Sequence, residues 1–250
     1  MPHEPARCAS ALDTHTVTAR LRATRERLDA ALDAAKRPRT SATLLAVSKT
    51  RPAAEIREAH AAGQRAFGEN YLQEALSKRA ALADLDLEWH FIGALQSNKT
   101  REAAKHFDWV HTVDRLKIAR RLNDQRSEHL PPLQVCLQVN ISRDPHKSGA
   151  MPEEVMTLAE AMLAMPRLTL RGLMTIPTHS DAANRRAPFE ALRELMSTLR
   201  ARFPQAAWDT LSMGMSADLE EAVMEGATII RVGTAIFGQR DGMSQITSPP

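Results

Sequence analysis

Lys49 stands at the end of a short apolar segment, in the sequence LLAVSKTRP that covers residues 44–52. An apolar run of this length, closed by a proline, is typical of a buried strand, which places Lys49 at the carboxyl end of that strand. An amine against an apolar wall is poorly solvated, and a neutral amine condenses with an aldehyde to form a Schiff base. The alternative is a surface lysine just past a strand.

Arg231 lies near the other end of the chain, in the segment IIRVGT of residues 229–234. Strand alternation places Arg231 on the face opposite Ile230 and Val232. An arginine that faces the inside of a sheet or barrel needs a partner, because desolvation of an unpaired charge is costly. That partner is either a structural carboxylate or the ring nitrogen of a pyridine cofactor. Since arginine only donates hydrogen bonds, it would keep such a nitrogen unprotonated and the ring a weak electron sink.

Two loops near the carboxyl end of the chain combine glycines, hydroxyl groups and accessible backbone N–H groups. These features suit a phosphate group, and the residues concerned are Ser212, Gly214, Gly233 and Thr234. Acidic side chains at 218, 220 and 221 would repel phosphate from the helix that follows the first loop. We therefore expect the anion on the backbone at 212–214 and 233–234. The alternative is a pair of turn glycines with Ser216 as a helix N-cap.

His90 and Asn70 are weaker candidates for contact with a ligand. His90, in the segment WHF, faces the interior or its wall, and is either a hydrogen-bonded core histidine or a ligand contact. Asn70 either contacts a ligand or caps the following helix. The nine histidines show no spacing typical of metal ligands, and no metal is expected.

The elements that position these residues are about eight strand and helix units after a leading helix at about 14–36. Strands that alternate with helices pair in parallel, and this number in 250 residues favours a closed (β/α)8 barrel of the TIM type over an open sheet. In such a barrel the candidate residues gather at the carboxyl ends of the strands. We expect a single domain over 1–250, with the barrel at about 40–240 and flexible ends at 1–12 and 243–250.

Composition excludes several functional classes. A hydrophobic content of 43% and a charged content of 25% are ordinary for a soluble globular protein. The net charge of +3 is spread over helix faces and aromatic residues make up only 4%, which argues against nucleic-acid binding. Cys8 and Cys136 have no disulfide or metal spacing, which favours a reducing compartment. No apolar stretch is long enough to span a membrane, so we expect a cytoplasmic protein without membrane contact.

Seven motifs in order, from about residue 44 to 240, resemble one known family. They read AVSKT, FGENYLQEA, WHFIGALQSNKTR, NISRDPHKSG, RGLM, SMGMSADLEEA and RVGTAIFG. The sequence resembles the pyridoxal-phosphate homeostasis proteins, also called the YggS/PROSC family, whose barrel is similar to the N-terminal domain of alanine racemase. The resemblance implies reversible binding of pyridoxal 5′-phosphate (PLP), control of its free level, and delivery to PLP-dependent apoenzymes without catalytic turnover.

The resemblance also assigns residues. It implies that Lys49 holds PLP covalently as an internal aldimine and that Arg231 faces the pyridine nitrogen. Lys147 and Arg51 become basic groups near the pocket, although many family members have a lysine in place of Arg51. The phosphate contacts that the resemblance implies are Ser212, Gly214, Gly233 and Thr234.

Two other functions remain open on the sequence. A racemase-like PLP enzyme needs a base on each face of the substrate, and the opposing base in the racemases is a tyrosine from a second domain. This chain has only Tyr71 and no room for that domain, so the expectation is a non-enzyme, and a monomer because the domain supplies the racemase dimer contact. A class I aldolase-type barrel would use Lys49 on a sugar phosphate, but it would leave Arg231 without an evident partner.

Overall fold

Short apolar runs form eight parallel strands in the computed structural model, which describes residues 16–178 and 184–239. Each strand pairs with the next along the chain and the eighth pairs with the first, so the sheet closes into a barrel. This confirms the expected (β/α)8 architecture. The strands are β1 (Thr43–Val47), β2 (Ala66–Glu69), β3 (Glu88–Phe91), β4 (Trp109–Val113), β5 (Leu133–Gln138), β6 (Leu168–Met174), β7 (Thr210–Ser212) and β8 (Ile229–Val232).

Helices alternate with the strands and cover the outside of the barrel. The expected leading helix is present, and the hydroxyl oxygen of Thr16 caps it by accepting a hydrogen bond from the Ala19 N–H. The helices are α1 (Val17–Ala34), α2 (Ala53–Ala61), α3 (Leu72–Ala81), α4 (Thr100–His106), α5 (Leu116–Gln125), α6 (Val155–Leu163), α7 (Ala187–Arg202), α8 (Leu219–Met224) and α9 (Thr234–Phe237). Helix α1 packs against α2, α8 and α9, and so covers the seam where β8 meets β1.

Strand alternation divides the buried residues into two sets. Outward-facing side chains such as Phe67, Val110 and Leu137 join the large apolar core beneath the helices. A separate small cluster fills part of the barrel interior and consists of Leu45, Ala66, Ile92 and Ile229, with Val47 packed against it. A third apolar cluster consists of Trp109, Cys136 and Met174. Polar side chains at other inward positions form part of the site described below.

Element ends differ from the sequence predictions by one or two residues. Strand β1 ends at Val47, so Lys49 lies in the turn that follows rather than in the strand. Thr50 in that turn has a positive φ of 62°. The flexible ends predicted at 1–12 and 243–250 lie outside the described residues. Among the helices that the structure describes, none has both the length and the apolar character to cross a bilayer.

Candidate binding site at the carboxyl end of the barrel

Lys49 is half-buried at the carboxyl end of β1. Its position continues the alternating series of Leu45 and Val47, which pack in the barrel interior. The end of β1 lies between the ends of β2 and β8, because these are its two neighbours in the sheet. The lysine is therefore placed beside the residues that follow β8.

A buried ionic cluster lies behind the lysine, between β1, β2 and α3. The Lys78 ammonium donates to Glu69 Oε1 at 2.7 Å, to the Ser48 carbonyl oxygen at 2.6 Å and to Glu74 Oε1 at 2.5 Å. The Ser48 hydroxyl donates to Glu69 Oε1 at 2.7 Å, and the Thr50 N–H donates to Glu74 Oε1 at 2.5 Å. Ser48 and Thr50 flank the candidate lysine, so this Lys78 cluster fixes the backbone on both sides of it.

Burial raises the pKa of the Glu69 carboxyl above its ordinary value, although hydrogen bonds from Lys78 and Ser48 oppose the shift. Glu69 is fully buried, and its second oxygen, Oε2, has no hydrogen-bond partner among residues 16–178 and 184–239. The carboxylate therefore depends on Lys78 for compensation of its charge.

Two basic residues that the resemblance placed near the pocket hold loops together. Arg51, directly after the lysine turn, donates to the carbonyl oxygen of Gly238 at the end of α9. Lys147 donates to the carbonyl oxygens of Ile176 at 3.1 Å and Pro177 at 2.8 Å. Arg51 thus ties the loop after β1 to the end of α9, and Lys147 ties the loop after β5 to the one after β6.

The loop after β7 depends on Gly214, which has a φ of 90°. A Cβ at this position would lie 2.5 Å from the Cβ of Ala222, closer than real contacts allow. Asp218 precedes α8 and its Oδ1 accepts a hydrogen bond from the Met215 N–H at 2.6 Å. The alternative of Ser216 as the N-cap is wrong, because Asp218 occupies that position. The acid occupies the start of α8, and an anion on the backbone around Gly214 stays a prediction.

Gly233 and Thr234 begin α9 directly after β8. A Cβ on Gly233 would lie 3.2 Å from the carbonyl oxygen of Val47, so the backbone passes close to the end of β1. The Arg231 N–H donates to the Gly214 carbonyl oxygen at 3.0 Å, which joins the ends of β7 and β8. The structure therefore brings both predicted phosphate loops to the same part of the barrel end as the lysine turn.

Arg231 lies inside the barrel and is 4% exposed. One guanidinium nitrogen donates to Ser212 Oγ and the other terminal nitrogen donates to the Thr175 carbonyl oxygen, both at 2.8 Å. Burial lowers the pKa of Arg231 to about 10, so the side chain remains a cation at neutral pH. The Ser212 hydroxyl is thus engaged within the protein, and its predicted phosphate contact stays a prediction.

Two histidines extend this buried polar chain. His111 Nδ1 lies 2.8 Å from Ser212 Oγ, and His111 Nε2 lies 2.9 Å from His90 Nδ1. The His90 ring stacks on Trp109 with ring centroids 5.4 Å apart. Burial, followed by the charges of His90 and Arg231, lowers the pKa of His111 well below its ordinary value, so its ring is neutral. The structure places His90 in the core, with a ligand contact still only predicted.

Sequence reasoning missed His111 and the Lys78 cluster. Alternation along WVHTV (109–113) does put His111 on the same face as Trp109, which was a usable signal for an inward position. Its partner Ser212 lies 101 residues away, and no local pattern links the two. Lys78 looks like any lysine on an amphipathic helix until β2 places Glu69 beneath it.

Asn70 follows β2, and its side-chain oxygen Oδ1 is buried without a partner among the described residues. Helix α3 begins at Leu72 after Tyr71 and has no side-chain cap, so the structure does not support Asn70 as a cap. A Cβ on Gly93 would lie 2.1 Å from the Asn70 carbonyl oxygen, so this glycine lets the two loops touch. A buried acceptor of this kind requires a donor, which a ligand can supply. Metal-ligand groups of three or more are absent from the described residues.

The barrel and the placement of its lysine, arginine and glycines define one class of protein. The sequence profile of the family "Alanine racemase, N-terminal domain" matches residues 19–241. Alanine racemase from Corynebacterium glutamicum superposes with a TM-score of 0.63 at 17% identity, covering 90% of this chain and 62% of the racemase. At that identity the similarity shows the fold alone.

Closer relatives identify the branch within this class. A pyridoxal phosphate homeostasis protein of Pseudomonas aeruginosa is 60% identical over 86% of this chain and 92% of its own length. The Escherichia coli homeostasis protein is 52% identical over 87% of this chain and 94% of its own length. The chain belongs to the family of pyridoxal phosphate homeostasis proteins, and it groups with them rather than with the racemases.

Solved structures agree with this assignment. PipY of Synechococcus elongatus without PLP superposes with a TM-score of 0.81 at 44% identity. The superposition covers 89% of this chain and 100% of PipY. PipY with PLP bound gives a TM-score of 0.79 at 43% identity with the same coverage.

Proposed function

We propose that this protein binds PLP reversibly at the carboxyl end of the barrel, attached covalently to Lys49, and maintains PLP homeostasis without catalytic turnover. The observation that carries the proposal is the convergence of the lysine turn with the glycine loops after β7 and β8. The PLP-bound structure of PipY, at 43% identity, supports the choice of ligand.

The residues at this end fit the three parts of the ligand. PLP supplies an aldehyde, a phosphate and an electron-accepting pyridine ring. The Lys49 amine attacks the aldehyde carbon, a C=N bond forms and water leaves. Backbone N–H groups near Gly214, Gly233 and Thr234 receive the phosphate, since glycines permit close approach of an anion. The Oδ1 of Asn70 gains a donor from the ligand or a water that the ligand orders.

Arg231 favours storage of the cofactor over catalysis with it. A guanidinium has five N–H donors, and the bonds to Ser212 and Thr175 use two of them. A remaining N–H donated to the ring nitrogen leaves that nitrogen unprotonated, which weakens the ring as an electron sink. The arginine therefore disfavours carbanion chemistry, which agrees with storage rather than turnover.

We further propose that the protein acts as a monomer in the cytoplasm and delivers PLP to apoenzymes. Half-burial of Lys49 leaves its bond to the ligand within reach of water, which permits exchange. Five large apolar side chains are exposed in the described part, and they lie on different loops and helix ends: Tyr71, Leu130, Ile176, Met215 and Met224. Sedimentation equilibrium would give the mass in solution, and a dimer mass would contradict the monomer.

Absorption spectroscopy with Lys49→Ala tests the covalent attachment. We expect the parent protein with PLP to show a visible band that borohydride removes, with the mass of reduced PLP retained on a Lys49 peptide. The Lys49→Ala variant should lose the band, whereas Lys117→Ala, which removes an exposed lysine of α5, should keep it. A parent without the band, or a variant that retains it, would contradict the proposal.

A further inference from the structure

A continuous chain of polar contacts crosses the barrel interior from Arg231 to Glu88. Arg231 donates to Ser212 Oγ, and His111 bridges from Ser212 at 2.8 Å to His90 at 2.9 Å. His90 Nε2 then lies 2.9 Å from Glu88 Oε1, off the axis of an ideal hydrogen bond. We name these five residues the barrel relay. Four of them are buried, and only Glu88, the first residue of β3, reaches solvent, at the opposite end of the barrel from Lys49.

Arg231 fixes the direction of the hydrogen bonds in the relay. A guanidinium can only donate, so Ser212 Oγ accepts from Arg231 and its own proton is free for His111 Nδ1. His111 then carries its proton on Nε2 and donates to His90 Nδ1. His90 in turn carries its proton on Nε2, where the Glu88 carboxylate accepts it. This order directs the Ser212 and His111 donors at acceptors and points the His90 Nε2 proton toward an anion 2.9 Å away.

The two other proton orders are less favourable. If His111 donated to Ser212, His90 would donate to His111 and would present its Nε2 lone pair to the Glu88 carboxylate. A doubly protonated His90 would also donate to His111 and so force His111 to direct its proton at Ser212. In both cases the Ser212 oxygen accepts twice, and its proton loses His111 as an acceptor. Burial makes an unmet donor costly in this interior.

We propose that Glu88, His90 and His111 are positioning residues for Arg231, acting through Ser212 and a single fixed proton order. The hydrogen bond from His90 lowers the pKa of the Glu88 carboxyl, so the acceptor end stays ionised at neutral pH. The relay holds the guanidinium by its Ser212 side, while the Thr175 carbonyl oxygen accepts from a second donor. Its role toward a pyridine nitrogen rests on the proposed function, whereas the proton order is a property of the chain alone.

Nitrogen-15 NMR of histidine- and arginine-labelled full chain without PLP tests the proton order. In the parent we expect both His90 and His111 as the neutral Nε2–H tautomer. In Glu88→Lys a donor replaces the acceptor, so His90 should change to the Nδ1–H tautomer and the Arg231 Nε–H signal should shift. Glu88→Gln keeps a carbonyl acceptor and should restore the parent pattern. Glu102→Lys is the matched control, since Glu102 pairs with His106 on α4, outside the relay.

Each outcome decides the proposal. A parent with His111 protonated on Nδ1, or with His90 doubly protonated, overturns the proton order, and this holds even where Glu88→Lys fails to fold. A folded Glu88→Lys with unchanged His90 and Arg231 signals overturns the role of Glu88. Titration of the same samples with PLP separates the two proposals. Failure of the parent to bind PLP refutes the proposed function and leaves the relay intact, whereas weaker binding by Glu88→Lys alone supports both.

Discussion

Gly214 and Gly226 have nearly the same backbone conformation in different surroundings. Their φ values are 90° and 89°, which L-residues with side chains rarely adopt. A Cβ at Gly226 would meet its nearest heavy atoms only at 3.9 Å and 4.0 Å. A Cβ at Gly214 would lie 2.5 Å from Ala222 and 2.9 Å from Ile230. Backbone conformation therefore requires a glycine at both positions, but close packing requires it only in the candidate phosphate loop.

Replacement of each glycine by alanine should separate these two requirements. Gly226→Ala should lower the free energy of unfolding by about 1–2 kcal/mol, the cost of a left-handed conformation for an L-residue. Gly214→Ala should lower the free energy of unfolding by about 1–3 kcal/mol more than Gly226→Ala, because the added Cβ overpacks the loop. It should also weaken phosphate-dependent binding of PLP. Urea denaturation and PLP titration of both variants measure the effects. Equal losses of stability, with PLP binding unaffected in both, would contradict the close-contact argument.

The lysine turn is held by an element that contributes nothing to the barrel wall. Helix α3 reaches back through Lys78 to the Ser48 carbonyl oxygen and through Glu74 to the Thr50 N–H. The backbone on both sides of Lys49 is thereby fixed by a helix that follows the next strand. We infer that α3 sets the direction of the lysine.

Lys78→Met should destabilise the protein by about 3–5 kcal/mol, because it leaves Glu69 buried without its countercharge. Glu69→Gln combined with Lys78→Met removes that charge and should recover much of the loss. Both variants lose the Lys78 hydrogen bond to the Ser48 carbonyl oxygen beside Lys49, so trapping of PLP by borohydride should remain slow even in the stabilised double variant. Lys117→Met, on the outside of α5, is the control and should change neither property. Normal trapping in the double variant would show that Lys78 does not position Lys49.

Local patterns were sufficient for the type and order of the elements, although their ends were predicted only approximately. Alternation and apolar runs predicted the barrel, and glycines next to hydroxyl residues marked the loops after β7 and β8. Contacts that depend on barrel closure were not predictable in this way. Ser212 was predicted as a phosphate contact from its place beside Gly214, and nothing in the adjacent sequence indicates its contacts with Arg231 and His111 across the interior. Asp218 rather than Ser216 is the N-cap residue of α8, and its carboxylate accepts the Met215 N–H, a contact that depends on the fold of the loop.

The barrel interior contains an apolar part and a polar part. Leu45, Ala66, Ile92 and Ile229 fill the former, and the barrel relay fills much of the latter. Buried polar groups stabilise a fold only where their hydrogen bonds are satisfied, and a neutral His111 meets this requirement through its contacts with Ser212 and His90. The stability of the whole molecule should therefore depend on the protonation of that histidine.

The free energy of unfolding should fall as the pH decreases below about 6.5, the ordinary pKa of an unfolded histidine. In the folded protein the pKa of His111 is lowered, so below that pH the unfolded chain binds a proton that the folded one does not. The free energy of unfolding therefore falls by up to about 1.4 kcal/mol per pH unit, until the pKa of His111 in the folded protein is reached.

His111→Gln keeps a donor and an acceptor but cannot titrate, so its free energy of unfolding should change less between pH 7 and pH 5. Urea denaturation across this range measures the difference, with His129→Gln in an exposed loop as the control. If the free energy of unfolding of the parent and of His111→Gln changed with pH in parallel, the His111 ring would take up its proton in the folded protein. That result would contradict a neutral His111 in the relay.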